Sequence, residues 1–272
     1  MNPWLETGGV VILGTVGVAL GRRFSRLPNP YWTLGYFGPL ALIFLIGLAY
    51  RFRPLEFIAP FSWLMAGHTE FALTALTGTM VLTTPLSRLP SRRDRAAVTL
   101  LMVCVVLQVA ARPLLAPAFN RARLAALITR IDSDGVCLQN TDYTCGPAAA
   151  VTALRRLGLP SEEGEIALLC GTSSAMGTPP DILCRKLQKR YGPAGLRCEY
   201  RSFRSVKDLR QPGGHTLALQ KFAFLLDHYV TVLDVDDQTV TVGDPLTGKQ
   251  TLTHEEFAKK WRFVGVVLTR KT

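Results

Sequence analysis

Lysine is absent from the first 130 residues of this 272-residue chain, and acids there are limited to Glu6, Glu56, Glu70 and Asp94. Charged residues make up only 19% of the whole, against 48% hydrophobic, which excludes a disordered or solvating chain. Gly 23 and Pro 17 are ordinary counts, so collagen-like and linker compositions are excluded too. Six cysteines are too few for a small disulfide scaffold, and none forms the CxxC pair of a zinc site. No basic residue precedes the first apolar run, and no small-residue cleavage site closes it, which argues against a signal peptide.

What remains is uneven. The net charge is +11 with a pI near 9.7 and a mean hydropathy of +0.21. Residues 1–130 hold thirteen arginines and carry +9; residues 131–272 carry only +2. The arginines punctuate long apolar runs instead of forming the basic face of a soluble fold, which excludes a nucleic-acid footprint. About 20 apolar residues cross a bilayer core. Four spans are expected on this ground, at 4–21, 31–50, 57–86 and 96–118, within a transmembrane region 1–120 followed by a linker 121–131. The first span is short and glycine-rich, with Trp4 as its interfacial anchor. Seven arginines fall in the first and third loops and two, Arg51 and Arg53, in the second. Short cytoplasmic loops gather positive charge, so the N-terminus and everything after span four are expected outside. His68 and Glu70 interrupt span three; the simplest reading is a surface turn over His68-Thr69-Glu70.

From residue 132 the pattern is that of a soluble domain. Asp132-Ser133-Asp134-Gly135 is a turn and Cys137-Leu138-Gln139 a short extended stretch. Cys145-Gly146-Pro147 opens a helix through Leu157, with further helices over Ser161–Leu169 and Pro179–Tyr191. Strands are expected at His215–Gln220, Ala223–Leu226, Tyr229–Val235 and Thr239–Gly243, then a helix at His254–Trp261 and a strand at Phe263–Leu268. Helices followed by an antiparallel sheet make an α+β domain.

That order gives four side chains chemical meaning. Cys145 opens a helix, where backbone N–H groups and the dipole favour thiolate. Gln139, six residues upstream, is placed to form an oxyanion hole with the Cys145 N–H. His228 near a strand start is the candidate general base, preferred over His215 and His254 because only its strand pairs with one ending at Asp244. Asp244 would hold the imidazole tautomer. The rival readings are a packed thiol, a turn aspartate and an exposed glutamine.

Gln139-Asn140-Thr141-Asp142-Tyr143-Thr144-Cys145-Gly146-Pro147-Ala148, His228-Tyr229-Val230-Thr231-Val232 and Gly243-Asp244-Pro245-Leu246-Thr247-Gly248 resemble the bacteriocin-processing double-glycine peptidases. The likeness runs over about 133–268 and takes in Gly171–Gly177 and Phe257…Trp261. It implies a papain-like cysteine peptidase fold, with Cys145 as nucleophile, His228 as base, Asp244 as orienting residue and Gln139 as oxyanion donor. It also implies a peptide or precursor-protein substrate cut after Gly-Gly or similar small residues. Thr144 stands where many members carry Asp, and the implied cytosolic site conflicts with the arginine count.

Other features lead elsewhere. Gly243 to Lys249 nearly spells a phosphate loop, but Gln250 replaces the magnesium-binding hydroxyl and no helix pattern follows, so no nucleotide is expected. Asp234, Asp236 and Asp237 lack calcium-loop spacing and read as a hairpin tip. Cys137, Cys170, Cys184 and Cys198 would allow two disulfides, in any of three pairings, in an oxidising compartment. Cys104 lies within a span. The expectation is therefore a multi-pass protein of a bacterial inner membrane with an extracytoplasmic thiol protease domain, no metal or organic cofactor, and as partners a peptide, the bilayer and a separate exporter. A degenerate, peptide-holding module is the alternative, and acyl transfer to an amine a third reading.

Overall fold

The computed structural model describes residues 3–66, 69–210, 213–223 and 226–270; His68 lies outside them. The chain divides into two compact units, one of residues Met1–Arg51 with Ile58–Ala116, the other of Phe52–Phe57 with Pro117–Thr272.

The first unit is helical. Helices α1 (Pro3–Ser25) and α2 (Leu34–Arg51) are each long and apolar enough to cross a membrane, over Trp4–Ser25 and Tyr31–Arg51. Residues 57–86 do not form one helix: α3 (Phe61–Leu64) and α4 (Thr69–Thr83) are separate. Then α5 (Arg92–Val105) runs through a wider π-type turn, Val106–Ala111, into α6 (Arg112–Phe119). Glu70 is not at a surface turn. It sits in the first turn of α4, buried, and its carboxylate accepts a 2.7 Å hydrogen bond from the Tyr50 hydroxyl. A buried carboxyl needs such a donor, and the two residues are twenty apart in sequence.

The α1–α4 contact depends on glycine. A Cβ at Gly17 or Gly21 would overlap the Thr79 or Thr83 hydroxyl and the carbonyls of Leu76 or Met80. The helices therefore touch backbone to backbone, and Thr79 Oγ1 donates across the contact to Gly14 O at 3.0 Å. Small residues one helical turn apart are what membrane helices use to approach this closely.

The second unit begins, after the Phe52–Phe57 segment, with α7 (Arg121–Ala125) and β1 (Arg130–Ile131). Residues 121–131 are thus no linker: Leu124 is fully buried with Tyr143 and Ala167, and β1 pairs with β2 (Cys137–Leu138). Helices α8 (Cys145–Arg156), α9 (Glu163–Cys170) and α10 (Pro180–Tyr191) follow. The sheet consists of β3 (Leu196–Ser202), β4 (Gly214–Ala223), β5 (Leu226–Val235), β6 (Thr239–Asp244), β7 (Gly248–Thr253) and, after α11 (His254–Lys260), β8 (Trp261–Arg270). Its order is β3-β8-β4-β5-β6-β7 and all neighbours are antiparallel.

Residues 223–226 are not a strand of their own; Ala223 pairs with Leu226 at the end of the β4–β5 hairpin. The two edge strands, β3 and β7, lie outside the stretches expected to be strands. Each sheet face buries a core. Leu217, Leu219, Tyr229, Val264, Val266 and Leu268 pack under α8, α9 and α10. On the other face Ala218, Val230, Val232, Val240, Val242 and Val267 pack with Phe257 and Trp261.

Overpacking a close contact costs about 1–3 kcal/mol. Gly17→Leu or Gly21→Leu is therefore expected to lower the detergent-solubilised unfolding midpoint by several degrees. Gly8→Leu, where a Cβ meets nothing within 4 Å, should leave it unchanged. Equal midpoints for all three would refute the close packing.

Candidate active site

Helix α8 starts at Cys145, and Pro147 lies in its first turn, where a missing N–H costs nothing. Ala148, Ala149, Ala150 and Ala153 are all fully buried, so small side chains let the helix lie directly on the sheet. Two contacts fix its start. A Cβ at Gly146 would stand 3.2 Å from Thr178 and 3.3 Å from the Tyr229 ring, so either neighbour would have to give by a few tenths of an ångström. Thr231 Oγ1 donates to Ala149 O at 2.8 Å, tying the helix to β5. Tyr229 is itself held by its hydroxyl, which donates to Thr178 O at 2.9 Å.

His228 precedes Tyr229 on β5 and is buried at 7% exposure. Its Nε2 lies 2.8 Å from Asp244 Oδ1 at the end of β6. Asp244 also accepts the Leu246 N–H at 2.8 Å, which anchors the turn into β7. With Nε2 engaged, Nδ1 is the ring nitrogen left for Cys145, whose thiol interacts with the imidazole and favours its charged form. Phe222, largely exposed, packs its ring against His228 with centroids 5.7 Å apart.

Gln139 is buried, and its backbone N–H donates to Pro245 O at 2.9 Å, which brings it to the turn that follows Asp244. Its side-chain Nε2 donates one hydrogen to Thr141 O at 2.7 Å and keeps a second. Thr144 is fully buried, and its hydroxyl meets the Thr141 N–H at 3.2 Å and the Thr141 hydroxyl at 3.1 Å. The residue before Cys145 thus braces the loop. The other histidines stand apart: His215 Nδ1 contacts Val232 O at 3.1 Å and His254 Nε2 contacts Asp236 O at 3.2 Å.

The family model described as the peptidase C39 family matches residues 134–272, which contain all four of these residues. A protein of Methanothermobacter marburgensis, described as uncharacterized, is 34% identical over 130 residues, 48% of this chain and 83% of its own length. Another from Methanothermobacter thermautotrophicus is 30% identical over 140 residues, 52% of this chain and 90% of that one. The chain belongs to the peptidase C39 family.

Solved structures were also found. A double-glycine-motif protease from an AMS/PCAT transporter, in complex with its leader peptide, is 15% identical, with coverage of 54% of this chain and 96% of that one and a TM-score of 0.43. The peptidase domain of Streptococcus ComA is 16% identical, with 49% and 96% coverage and the same score of 0.43.

In this C39 domain the site's electrostatics follow from burial and partners. Burial alone would lower the His228 pKa. The hydrogen bonds and charges of Asp244 and Cys145 outweigh it and push the value up to about 9. Burial opposes ionisation of Asp244, but the bonds from His228 and the Leu246 N–H hold its carboxyl below the usual range. Burial pushes the Cys137 and Cys170 thiols up to about 12, which removes both as nucleophiles.

All six cysteines are free. The thiols of Cys184 on α10 and Cys198 on β3 interact, which lowers the pKa of the first and raises that of the second. The near-phosphate loop is a β6–β7 hairpin, Asp244 pairing with Gly248, so its Lys249 faces no helix N-terminus. Among the described residues no group of histidine, cysteine and acidic side chains could hold a metal.

Because the folded pKa of His228 lies above the ordinary 6.5, its contribution to stability is full below pH 6.5 and is lost as pH rises through about 9. The unfolding midpoint is therefore expected to fall between those limits. Asp244→Asn should flatten that part of the profile. An identical alkaline slope in both proteins would refute the coupling.

Proposed function

We propose that this protein is a membrane-anchored cysteine endopeptidase. The observation that carries this reading is the arrangement of half-buried Cys145, buried His228 and half-buried Asp244 within a C39 domain. The Cys145 thiolate attacks the scissile carbonyl carbon, and His228 Nδ1 gives its proton to the departing amine as the C–N bond breaks. The oxyanion is received by the Cys145 backbone N–H and the second hydrogen of Gln139 Nε2. Water, deprotonated by His228, then hydrolyses the thioester. Asp244 keeps the imidazole in the required tautomer throughout.

Cleavage after Gly-Gly or similar small residues in a leader or precursor peptide is the substrate reading that the family suggests. The AMS/PCAT protease was crystallised with a leader peptide, and a peptide is the partner we propose here as well. The bilayer reading rests on α1 and α2. Only 22% and 17% of their most apolar windows are buried, unlike the core helices of a soluble domain. Trp4, Ile12, Phe37 and Phe44 are exposed along them, and Leu100 and Leu101 along α5, apolar surface that lipid would cover. Two further crossings, one by α4 and one by α5 running into α6, complete the four-span topology, with the peptidase domain on the extracytoplasmic side.

The test compares intact cells with broken membranes, using a membrane-impermeant thiol alkylator on wild type, Cys145→Ala and His228→Ala. Rapid labelling that requires Cys145 and slows at least about ten-fold without His228 is expected, since thiolate and not thiol reacts. Slow labelling indifferent to His228 would overturn catalysis in favour of a peptide-holding module. Labelling only after membrane breakage would reverse the orientation.

A further inference from the structure

The six residues Phe52–Phe57, which join α2 to α3, belong to the peptidase unit and not to the helices on either side of them. They carry a buried ionic cluster. Arg53 Nε donates to Asp227 Oδ2 at 2.9 Å, and Arg262 Nε donates to Asp227 Oδ1 at 2.8 Å. Arg53 also pairs with Glu56, which accepts the Tyr200 hydroxyl at 2.9 Å, and Phe57 packs on the Tyr200 ring at 4.9 Å. The side chains of Arg53, Glu56, Asp227 and Arg262 are 11%, 9%, 9% and 6% exposed. Two guanidinium groups and two carboxylates cancel, so every buried charge has an opposite partner.

The position of Asp227 gives this cluster its significance. It immediately precedes His228 on β5, one residue from the last pair of the β4–β5 hairpin, Ala223 with Leu226. Apolar burial does little for that hairpin end, since Phe222 and Leu226 are 61% and 52% exposed, and the ladder shifts register between Lys221 and Ala223. Arg53 and Arg262 thus hold Asp227 at the backbone step next to His228.

We propose that Arg53, Asp227 and Arg262 are positioning residues for His228, so that the link between α2 and α3 is a working part of the peptidase site. This rests on the reading of Cys145 and His228 as the reacting pair. It also fixes a parity. Residues 52–57 and 117–272 share one side of any membrane, so 58–116 crosses it an even number of times.

The experiment follows alkylation of Cys145 by iodoacetamide from pH 4 to 10 on the full chain in detergent, read by mass spectrometry of the Cys145 peptide. Wild type, Arg53→Met, Arg53→Lys, Asp227→Asn and His228→Ala are compared, each checked for a cooperative thermal transition. Loosening His228 weakens the thiolate–imidazolium pair, so Arg53→Met and Asp227→Asn should move the acid limb up by about one pH unit, about ten-fold in rate on the acid side of the wild-type limb. Arg53→Lys, which keeps the charge, should recover most of the loss. Wild-type profiles in the folded variants would overturn the positioning role, and so would loss of the cooperative transition in every variant, which would mark a purely fold-holding cluster. A wild-type protein that reacts slowly and regardless of His228 would instead overturn the Cys145–His228 reading, and the positioning role with it.

Discussion

Strand β5 and the first turn of α8 have to lie within a glycine's width of each other, and the rest of the site depends on that contact. Gly146 rests against the Tyr229 ring, and Thr231 reaches the Ala149 carbonyl. A thiol at the start of a helix has oriented N–H groups beside it, but it gains a base only if a strand presents one at the same height. Here the strand presents His228 one residue before the tyrosine that receives the helix. The buried alanines of α8 have the same cause, since a larger side chain on that face would lift Cys145 away from the imidazole.

The charges around β5 fall into two compensated sets. His228 and Asp244 form one neutralising pair, and Asp227, Arg53, Glu56 and Arg262 form another cluster from the adjacent position. Isolated buried charges are costly, whereas compensated ones hold directions that apolar packing cannot. At a hairpin end with exposed Phe222 and Leu226, direction is what the site lacks from hydrophobic contacts. The Asp227 cluster supplies it from outside the sequence neighbourhood of the strand.

The parts of the molecule that could be read from sequence were those fixed over short distances. Cys145 at a helix start, His228 on a strand, and Asp244 at the end of the next strand follow from helix signals and hairpin register, and the structure brings the three together. Edge strands were harder. On β3, Leu196, Cys198 and Tyr200 alternate with Arg197, Glu199 and Arg201, a strand signal present in the sequence, whereas β7, Gly-Lys-Gln-Thr-Leu-Thr, carries almost none of the apolar alternation that marks a strand. Glu70 looked like a surface residue because its partner, Tyr50, is on another helix. Arg53 and Asp227 are 174 residues apart, and no local pattern announces an ion pair over that separation.

That pair also changes how the arginines are to be read. Thirteen of them in the first 130 residues suggested a charge asymmetry between loops, seven against two. Arg53 is one of the two, and its charge is matched by Glu56 and Asp227 inside the peptidase unit. A guanidinium paired with carboxylates inside the folded peptidase unit is not free to face lipid headgroups. Without it, the second loop keeps only Arg51 against the same seven, so the asymmetry behind the proposed orientation sharpens. Arg112, Arg121, Arg123 and Arg130, which trail the last expected span, are the basic charges that count against it.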